Sequence, residues 1–317
     1  MQIEASIIIR CYNEERHIGR LLEGIAQQTL KAVEIIVVDS GSSDHTLAIV
    51  SRHPARVLHI SPRRFSFGRS LNLGCSRARG RFLVLASAHV YPVFDDWLER
   101  LLEPLRRDPG LALVYGKQRG EAGSRLSERR VFEQWFPDSS LARQDHPFCN
   151  NANAALRRRL WQEMPYDEEL TGLEDIDWAR RAQARGYGIA YSAEAEVKHL
   201  HNETWPQVFK RYQREALALA RIFPESRLGL GQSLALWAKH LAGDLAQARR
   251  EGALAAHLGP VLAFRSMQFF GAYRGFRHRG PLDSRLLRAF YYPRRPQGES
   301  PPARSEARPI RYPRRPL

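Results

Sequence analysis

The apolar positions change period along the chain. "SIIIR" at 6–10 and "VEIIVVDS" at 33–40 are short unbroken apolar runs, the pattern of strands buried on both faces. Between them Ile18, Leu21, Leu22 and Ile25 recur at helical spacing. The alternation continues with a helix after Asp44, a strand at 56–60, a helix opening near Gly68 in "FGRSLNLGCSRARG", and a strand that begins "RFLVLASAHVYP" at 81–92. This order predicts an α/β fold with a doubly wound, mostly parallel sheet flanked by helices. Ligands of such sheets bind outside the carboxyl ends of the strands, where Arg10, Asp39 and His89 would project.

From about residue 204 the strand signals stop. "GLGQSLALWAKHLAGDLAQARR" places Leu230, Leu234, Trp237, Leu241, Leu245 and Ala248 on one helical stripe, and "LGPVLAFRSMQFFGAYRGFRHRG" follows with apolar residues broken by arginines. The last stretch, "YYPRRPQGESPPARSEARPIRYPRRPL", has too little apolar area to offset its ordering entropy and is expected to be disordered. The expected organisation is an α/β domain over 1–203, a helical region over 204–292 and a Pro/Arg-rich tail over 293–317.

Composition narrows the setting. The 317 residues are 43% hydrophobic, enough for one large core and an appendage. No run of 18 or more apolar residues occurs, and the first residues enter a strand without a signal-peptide pattern. Cys11, Cys75 and Cys149 are too few for a disulfide framework and lack zinc spacing, so a reduced, cytoplasmic compartment is expected. A net charge of +15 asks for an anionic partner, whether phosphates on a substrate, an acidic membrane or nucleic acid. No recognised nucleic-acid module accompanies the arginines, which concentrate toward the helical end and tail, and no nucleic-acid partner is expected.

Three stretches carry candidate chemistry. "VVDSGSSDHT" closes a strand with Asp39 and reaches Asp44 through a small-residue turn. Asp39 could accept from a base or ribose, and Asp44 could do the same or cap the next helix. In "TGLEDIDWARRAQARGYG", Thr171 and Glu174 have capping-box spacing and Gly186 is a stop signal. A cap needs one carboxylate, yet Glu174, Asp175 and Asp177 crowd the first turn and a half, and a carboxylate among others takes up a proton more readily, which suits a general base. In "AEVKHLHNET", Val197, His199 and His201 fall on one strand face with Lys198 and Leu200 on the other. The two histidines could hold a metal or serve as ordinary core and surface residues.

Taken in order, "SIIIRCYNEE", "VVDSGSSDHT", "GRSLNLG", "NANAALRR" and "GLEDIDWARRA" resemble the inverting family 2 glycosyltransferases with the GT-A fold, over roughly residues 3–203. The resemblance implies a nucleotide-sugar donor contacted by Asn13, Glu14, Asp39, Asp44, Arg69, Asn72 and Ser87, with Asp175 as catalytic base and Glu174 beside it. It also implies a saccharide or lipid-linked saccharide acceptor, as in cell-surface polysaccharide or glycolipid synthesis. The amphipathic stripe at 230–248 and the basic C-terminal tail are the combination expected of reversible attachment to an anionic cytoplasmic membrane surface; the alternative is that the stripe packs on the catalytic domain. The chain departs from the family pattern at one point. Where most members carry Asp-x-Asp to hold a divalent metal, Mn²⁺ or Mg²⁺, this sequence has Ser87, Ala88 and His89. Either His89 is a metal ligand together with His199 or His201, or it donates directly to the diphosphate in a metal-free site with nearby arginines. Lys210, Arg211 and Arg214 could face those phosphates or line a solvated helix face. A sugar-nucleotide pyrophosphorylase would need a Gly-rich loop and lysine after the first strand, and "RCYNEER" has neither.

Overall fold

A computed structural model describes residues 2–121, 123–200, 203–278 and 310. Its chain order is β1 (Ala5–Cys11), α1 (Ile18–Ala26), β2 (Val33–Asp39), α2 (Thr46–Val50), β3 (Ala55–His59), α3 (Phe67–Ser76), β4 (Phe82–Ser87), β5 (Val90–Pro92), α4 (Trp97–Arg107) and β6 (Leu111–Arg119). There follow α5 (Leu126–Trp135), β7 (Leu141–Gln144), β8 (Asn153–Arg157), α6 (Arg158–Glu163), α7 (Glu174–Ala184), β9 (Gly188–His199), α8 (Trp205–Ile222), α9 (Leu230–Arg250) and α10 (Leu254–Phe276).

One nine-stranded sheet runs β3-β2-β1-β4-β8-β6-β9-β5, with β7 paired to β9. The expected parallel arrangement holds for β3-β2-β1-β4 and for β6 with β9. Elsewhere the sheet is mixed, because β8 runs antiparallel to both β4 and β6, and β5 and β7 run antiparallel to β9. The apolar runs fill both faces as their period of two requires. Ile7 and Ile9 pack with Ile18, Leu21 and Leu22 of α1 and with Trp97 and Leu101 of α4, while Ile8 packs on the other side with Leu71 of α3 and Trp178 of α7.

The reversal at β8 positions the site. Asn153, its first residue, pairs with Ala86 near the end of β4, so the "NNAN" segment reaches the same sheet edge as Asp39 and Ser87. The helical region forms as expected: α8 leads into an α9–α10 hairpin. Leu241, Leu245 and Ala248 pack with Leu126 of α5 and Val261 of α10, but Leu230 and Leu234 of the same stripe are exposed. All three cysteines are free and buried. No described helix is long and apolar enough to cross a membrane. Apart from residue 310, the stretch 293–317 lies outside the described residues, and so does His201.

Candidate active site

The registers line up the strand ends. Cys11 pairs with Asp39, and Arg10 is flanked by Val38 on one side and Ser87 on the other. Two loops interlock at this edge. Asn13, held at φ 54°, donates from its backbone to Ser42 Oγ at 2.9 Å and accepts from Ser43 N at 2.8 Å, and Glu14 N donates to Thr46 Oγ1 at 2.7 Å. The buried Asp39 carboxylate accepts from Gly41 N at 3.0 Å and Ser42 N at 3.1 Å, with His59 Nδ1 at 3.4 Å. Gly41 sits at φ 97°, where a side chain would be strained. Asp44 accepts from Thr46 N at 3.0 Å and Glu15 N at 3.1 Å, so its carboxylate organises the start of α2 and ties it to the first loop. Ser87 joins β4 to the "NNAN" segment through its backbone N, 3.3 Å from Ala152 O.

Glu174 and Asp175 open α7 as a buried carboxylate pair. The capping box expected from Thr171 and Glu174 is absent, because Leu173 is the N-cap, in the left-handed region at φ 55°, and Thr171 Oγ1 donates to Arg214 O at 3.2 Å. The left-handed residue turns the chain so that Glu174 faces inward, where Arg10 Nη1 donates to its Oε1 at 3.3 Å and Asn151 Nδ2 does so at 3.5 Å. Asp175 accepts from Asn151 N at 3.0 Å and Ile176 N at 2.9 Å. Burial and the neighbouring Glu174 push its carboxyl up to about 7, against the pull of those two backbone donors. Asp177 is neutralised by Arg180 and Arg181 at 3.1 and 2.7 Å. The crowding of three carboxylates thus resolves into one buried carboxylate paired with two arginines and one inward pair with a proton available near neutral pH.

A histidine group stands at the other end of the edge. His89 and His199 stack with ring centroids 5.1 Å apart, and His17 meets His89 edge-on at 6.4 Å. His89 Nδ1 lies 3.0 Å from Glu14 Oε1, and His199 Nδ1 2.6 Å from Gln118 Oε1. The Nδ1 edge of His89 thus faces an acceptor carboxylate. Metal-ligating histidines are commonly oriented in this way. Gln118 Nε2 and Glu121 Oε2 are buried polar atoms without a hydrogen-bond partner among the described residues. Among the described residues no group of three or more His, Cys, Asp or Glu could hold a metal ion by itself. A cation at His89 and His199 would need ligands beyond these two described side chains.

Other expected residues are placed elsewhere or engaged differently. Asn72 on α3 uses its whole amide on the protein: it donates to Tyr166 O and Glu168 Oε1 at 2.9 and 3.1 Å and accepts from Trp161 Nε1 and Tyr166 N, both at 3.0 Å. Arg69 bonds Glu168 Oε2 at 2.7 Å and Arg64 O at 2.8 Å. The "GRSLNLG" motif thus fastens the 164–168 loop that leads to α7. On α8, Arg211 pairs with Glu203 at 2.8 Å, Lys210 reaches Gln213 Oε1 at 3.3 Å, and Arg214 lies 4.6 Å from the Phe67 ring, which Arg10 also contacts at 4.8 Å.

Sequence reasoning did not single out Asn151, Gln118 or Glu121, whose roles depend on partners far along the chain. It also missed Trp135, an exposed indole stacked on Phe148 at 4.5 Å. Phe148 stands three residues before Asn151, so one short segment links this aromatic face to the carboxylate pair. An exposed aromatic at the end of an otherwise polar helix, "SERRVFEQW", was the only available signal.

A model of the family described as Glycosyl transferase family 2 matches residues 6–164. An O-antigen chain rhamnosyltransferase of Salmonella typhimurium is 28% identical over 221 residues, 66% of this chain and 70% of that protein. Another, from Salmonella anatum, is 32% identical over 197 residues, 59% of this chain and 62% of that protein. Among solved structures, a mannosyltransferase from Pyrobaculum calidifontis in complex with GDP-Man and Mn²⁺ is similar with a TM-score of 0.62 at 19% identity, covering 86% of this chain and 87% of that one. S. aureus TarS in complex with UDP gives 0.52 at 20% identity, covering 86% and 89%.

Proposed function

Because the chain belongs to glycosyl transferase family 2 and has a GT-A fold, we propose that it transfers a sugar from a nucleotide-sugar to an acceptor hydroxyl with inversion, using Asp175 as the base. The observation that carries this reading is the Asp175 carboxyl, buried, fixed by two backbone N–H groups and raised to about 7 at the carboxyl edge of the sheet. A base titrating near the working pH combines a usable deprotonated fraction with sufficient basicity, a contribution of roughly 10²–10⁴-fold. The hydroxyl would lose its proton to Asp175 as its oxygen attacks the anomeric carbon opposite the departing diphosphate. Arg10 holds Glu174 in place and keeps part of the pair's charge balanced while Asp175 cycles.

The interlocked loops carrying Asn13, Glu14, Asp39 and Asp44, with Ser87 beside them, form the donor side of this reading. His89 and His199 would hold a divalent cation, Mn²⁺ or Mg²⁺, shared with the donor's diphosphate; such an ion supplies charge neutralisation for the leaving group. Arg69 and Asn72 act through the 164–168 loop they fasten, which leads to the carboxylate pair at the start of α7. Trp135 offers a flat apolar face to an acceptor sugar ring. The two Salmonella relatives, described as O-antigen chain rhamnosyltransferases, favour a saccharide acceptor of cell-surface polysaccharide synthesis; that it is lipid-linked and met at the cytoplasmic face of a membrane is our own inference. They also put a rhamnosyl donor first among those to try.

Thermal shift against UDP-, GDP- and dTDP-sugars, with and without Mn²⁺, tests the reading. One nucleotide series should raise the melting temperature, and the rise should be larger with Mn²⁺. No shift with any of them would refute nucleotide-sugar binding.

A further inference from the structure

Two glycines bring α10 onto α8. A Cβ at Gly271 would come within 2.5 Å of Phe209 O, and one at Gly275 within 2.3 Å of Gln213 O, so the two helices touch backbone to backbone and run in the same direction. Beside this contact, at the end of α10, Gln213, Tyr273, Arg274, Arg277 and His278 line a cavity of about 330 Å³. The lining offers two guanidinium groups, an imidazole, a hydroxyl and an amide, and among the described residues no carboxylate. Arg277 is held at the wall, its guanidinium carbon 5.6 Å from the Tyr273 ring centroid. His278 Nε2 is buried and has no hydrogen-bond partner among the described residues, a partner that a ligand would supply.

The cavity adjoins the loop that carries the carboxylate pair. Lys210 Nζ donates to Gln213 Oε1 at 3.3 Å. The next residue, Arg214, lies against Gly172, where a Cβ would stand 3.4 Å from its Nε, and its carbonyl accepts from Thr171 Oγ1 at 3.2 Å. Gly172 is two residues before Glu174. Arg214 and Arg10 contact the same Phe67 ring, at 4.6 and 4.8 Å, and Arg10 donates to Glu174. Cations thus run from the cavity through Lys210 and Arg214 to Arg10 beside the carboxylate pair.

We infer that this cavity is an anion site that takes a phosphate or diphosphate ester carried by the acceptor, with Arg274, Arg277 and His278 as its principal contacts. A diphosphate diester bears two charges, one for each guanidinium, and its oxygens accept from charged donors, which make the strong class of hydrogen bond. Anchoring the ester beside the loop that leads to Asp175 fixes the acceptor while its hydroxyl reaches the base. The inference deepens, and rests on, the reading of Asp175 as the base that meets the acceptor. Binding of the ester is measured without donor or transfer, so the two readings fail separately.

The test is calorimetric titration of the full chain with the symmetric dimethyl ester of diphosphate, with inorganic sulfate as the plain anion. Wild type should bind the ester more tightly than sulfate. Arg274→Gln/Arg277→Gln should weaken ester binding on the order of 100-fold, about tenfold for each charge-assisted hydrogen bond lost. Both arginines are exposed, so urea unfolding of this variant should match wild type. Arg249→Gln/Arg250→Gln removes the same charge at the α9–α10 turn and should bind the ester as wild type does. Saturating UDP, GDP or dTDP should leave the ester's affinity unchanged, and in a transfer assay the ester should raise the KM for acceptor and not for donor. No ester binding, sulfate binding as tightly, or equal losses in the two arginine variants overturns the inference. Displacement by a nucleoside diphosphate, or a raised donor KM, would give the cavity to the donor and equally overturn it.

Discussion

Replacing Asp175 by asparagine should make the protein more stable relative to wild type as pH rises, while removing its activity. The folded carboxyl keeps its proton up to about 7, whereas in the unfolded chain it releases it near 3.8. Between those values the folded state binds more protons, so the wild type loses stability as pH rises through this window and regains none above it. Each pH unit is worth about 1.4 kcal/mol, so between pH 5 and pH 8 the wild type loses about 3 kcal/mol that the variant keeps. The asparagine also gives up an acceptor for one of the Asn151 and Ile176 backbone N–H groups, about 1–2 kcal/mol, but that loss is the same at both pH values. Urea unfolding of both proteins at pH 5 and pH 8 reads the carboxyl together with its neighbour Glu174, because the more distant titrating groups are shared. A stability gap that does not change with pH would refute a proton held near neutrality, and with it the argument that burial beside Glu174 creates the base. The same variant should bind donor normally and turn over at least about 10²-fold more slowly.

Four further outcomes are expected. Glu174→Gln removes the neighbouring charge, so the acid limb of the activity profile should move to lower pH; an unmoved limb would exclude the coupling. His89→Ala should abolish the Mn²⁺-dependent strengthening of nucleoside-diphosphate binding and His89→Asp should keep much of it, as calorimetric titration with Mn²⁺ or EDTA would show; metal-independent wild-type binding defeats the ligand role. Asn72→Ala strands Trp161 Nε1 and Tyr166 N, so it should cost about 2–4 kcal/mol in urea unfolding; an unaltered stability with lost donor affinity would instead make Asn72 a direct donor contact. Trp135→Ala should raise the acceptor KM several-fold with little change in kcat, and the reverse split would place the indole nearer the reacting atoms.

The local pattern determined a great deal by itself. Because "SIIIR" and "VEIIVVD" are apolar on both sides, those segments could only be strands covered by helices on each face, and the α1 periodicity supplied one cover. The same rule put Arg10, Asp39 and His89 at the carboxyl ends of strands, whereas the order β3-β2-β1-β4 came from the structure. The acidic crowding at 174–177 likewise marked a carboxylate pair that capping did not require.

Tertiary structure decided what those residues do. The antiparallel course of β8 is a long-range pairing with no local signature, yet it brings the Asn151 N–H to Asp175, where it opposes the upward push that burial and Glu174 exert on that carboxyl. The left-handed Leu173 turned an apparent capping box into an inward carboxylate, a choice made by the packing of Thr171 against α8. Asn72 and Arg69 read as ligand-binding residues in a linear motif because polarity at a sheet edge looks the same whether its partner is a substrate or a loop.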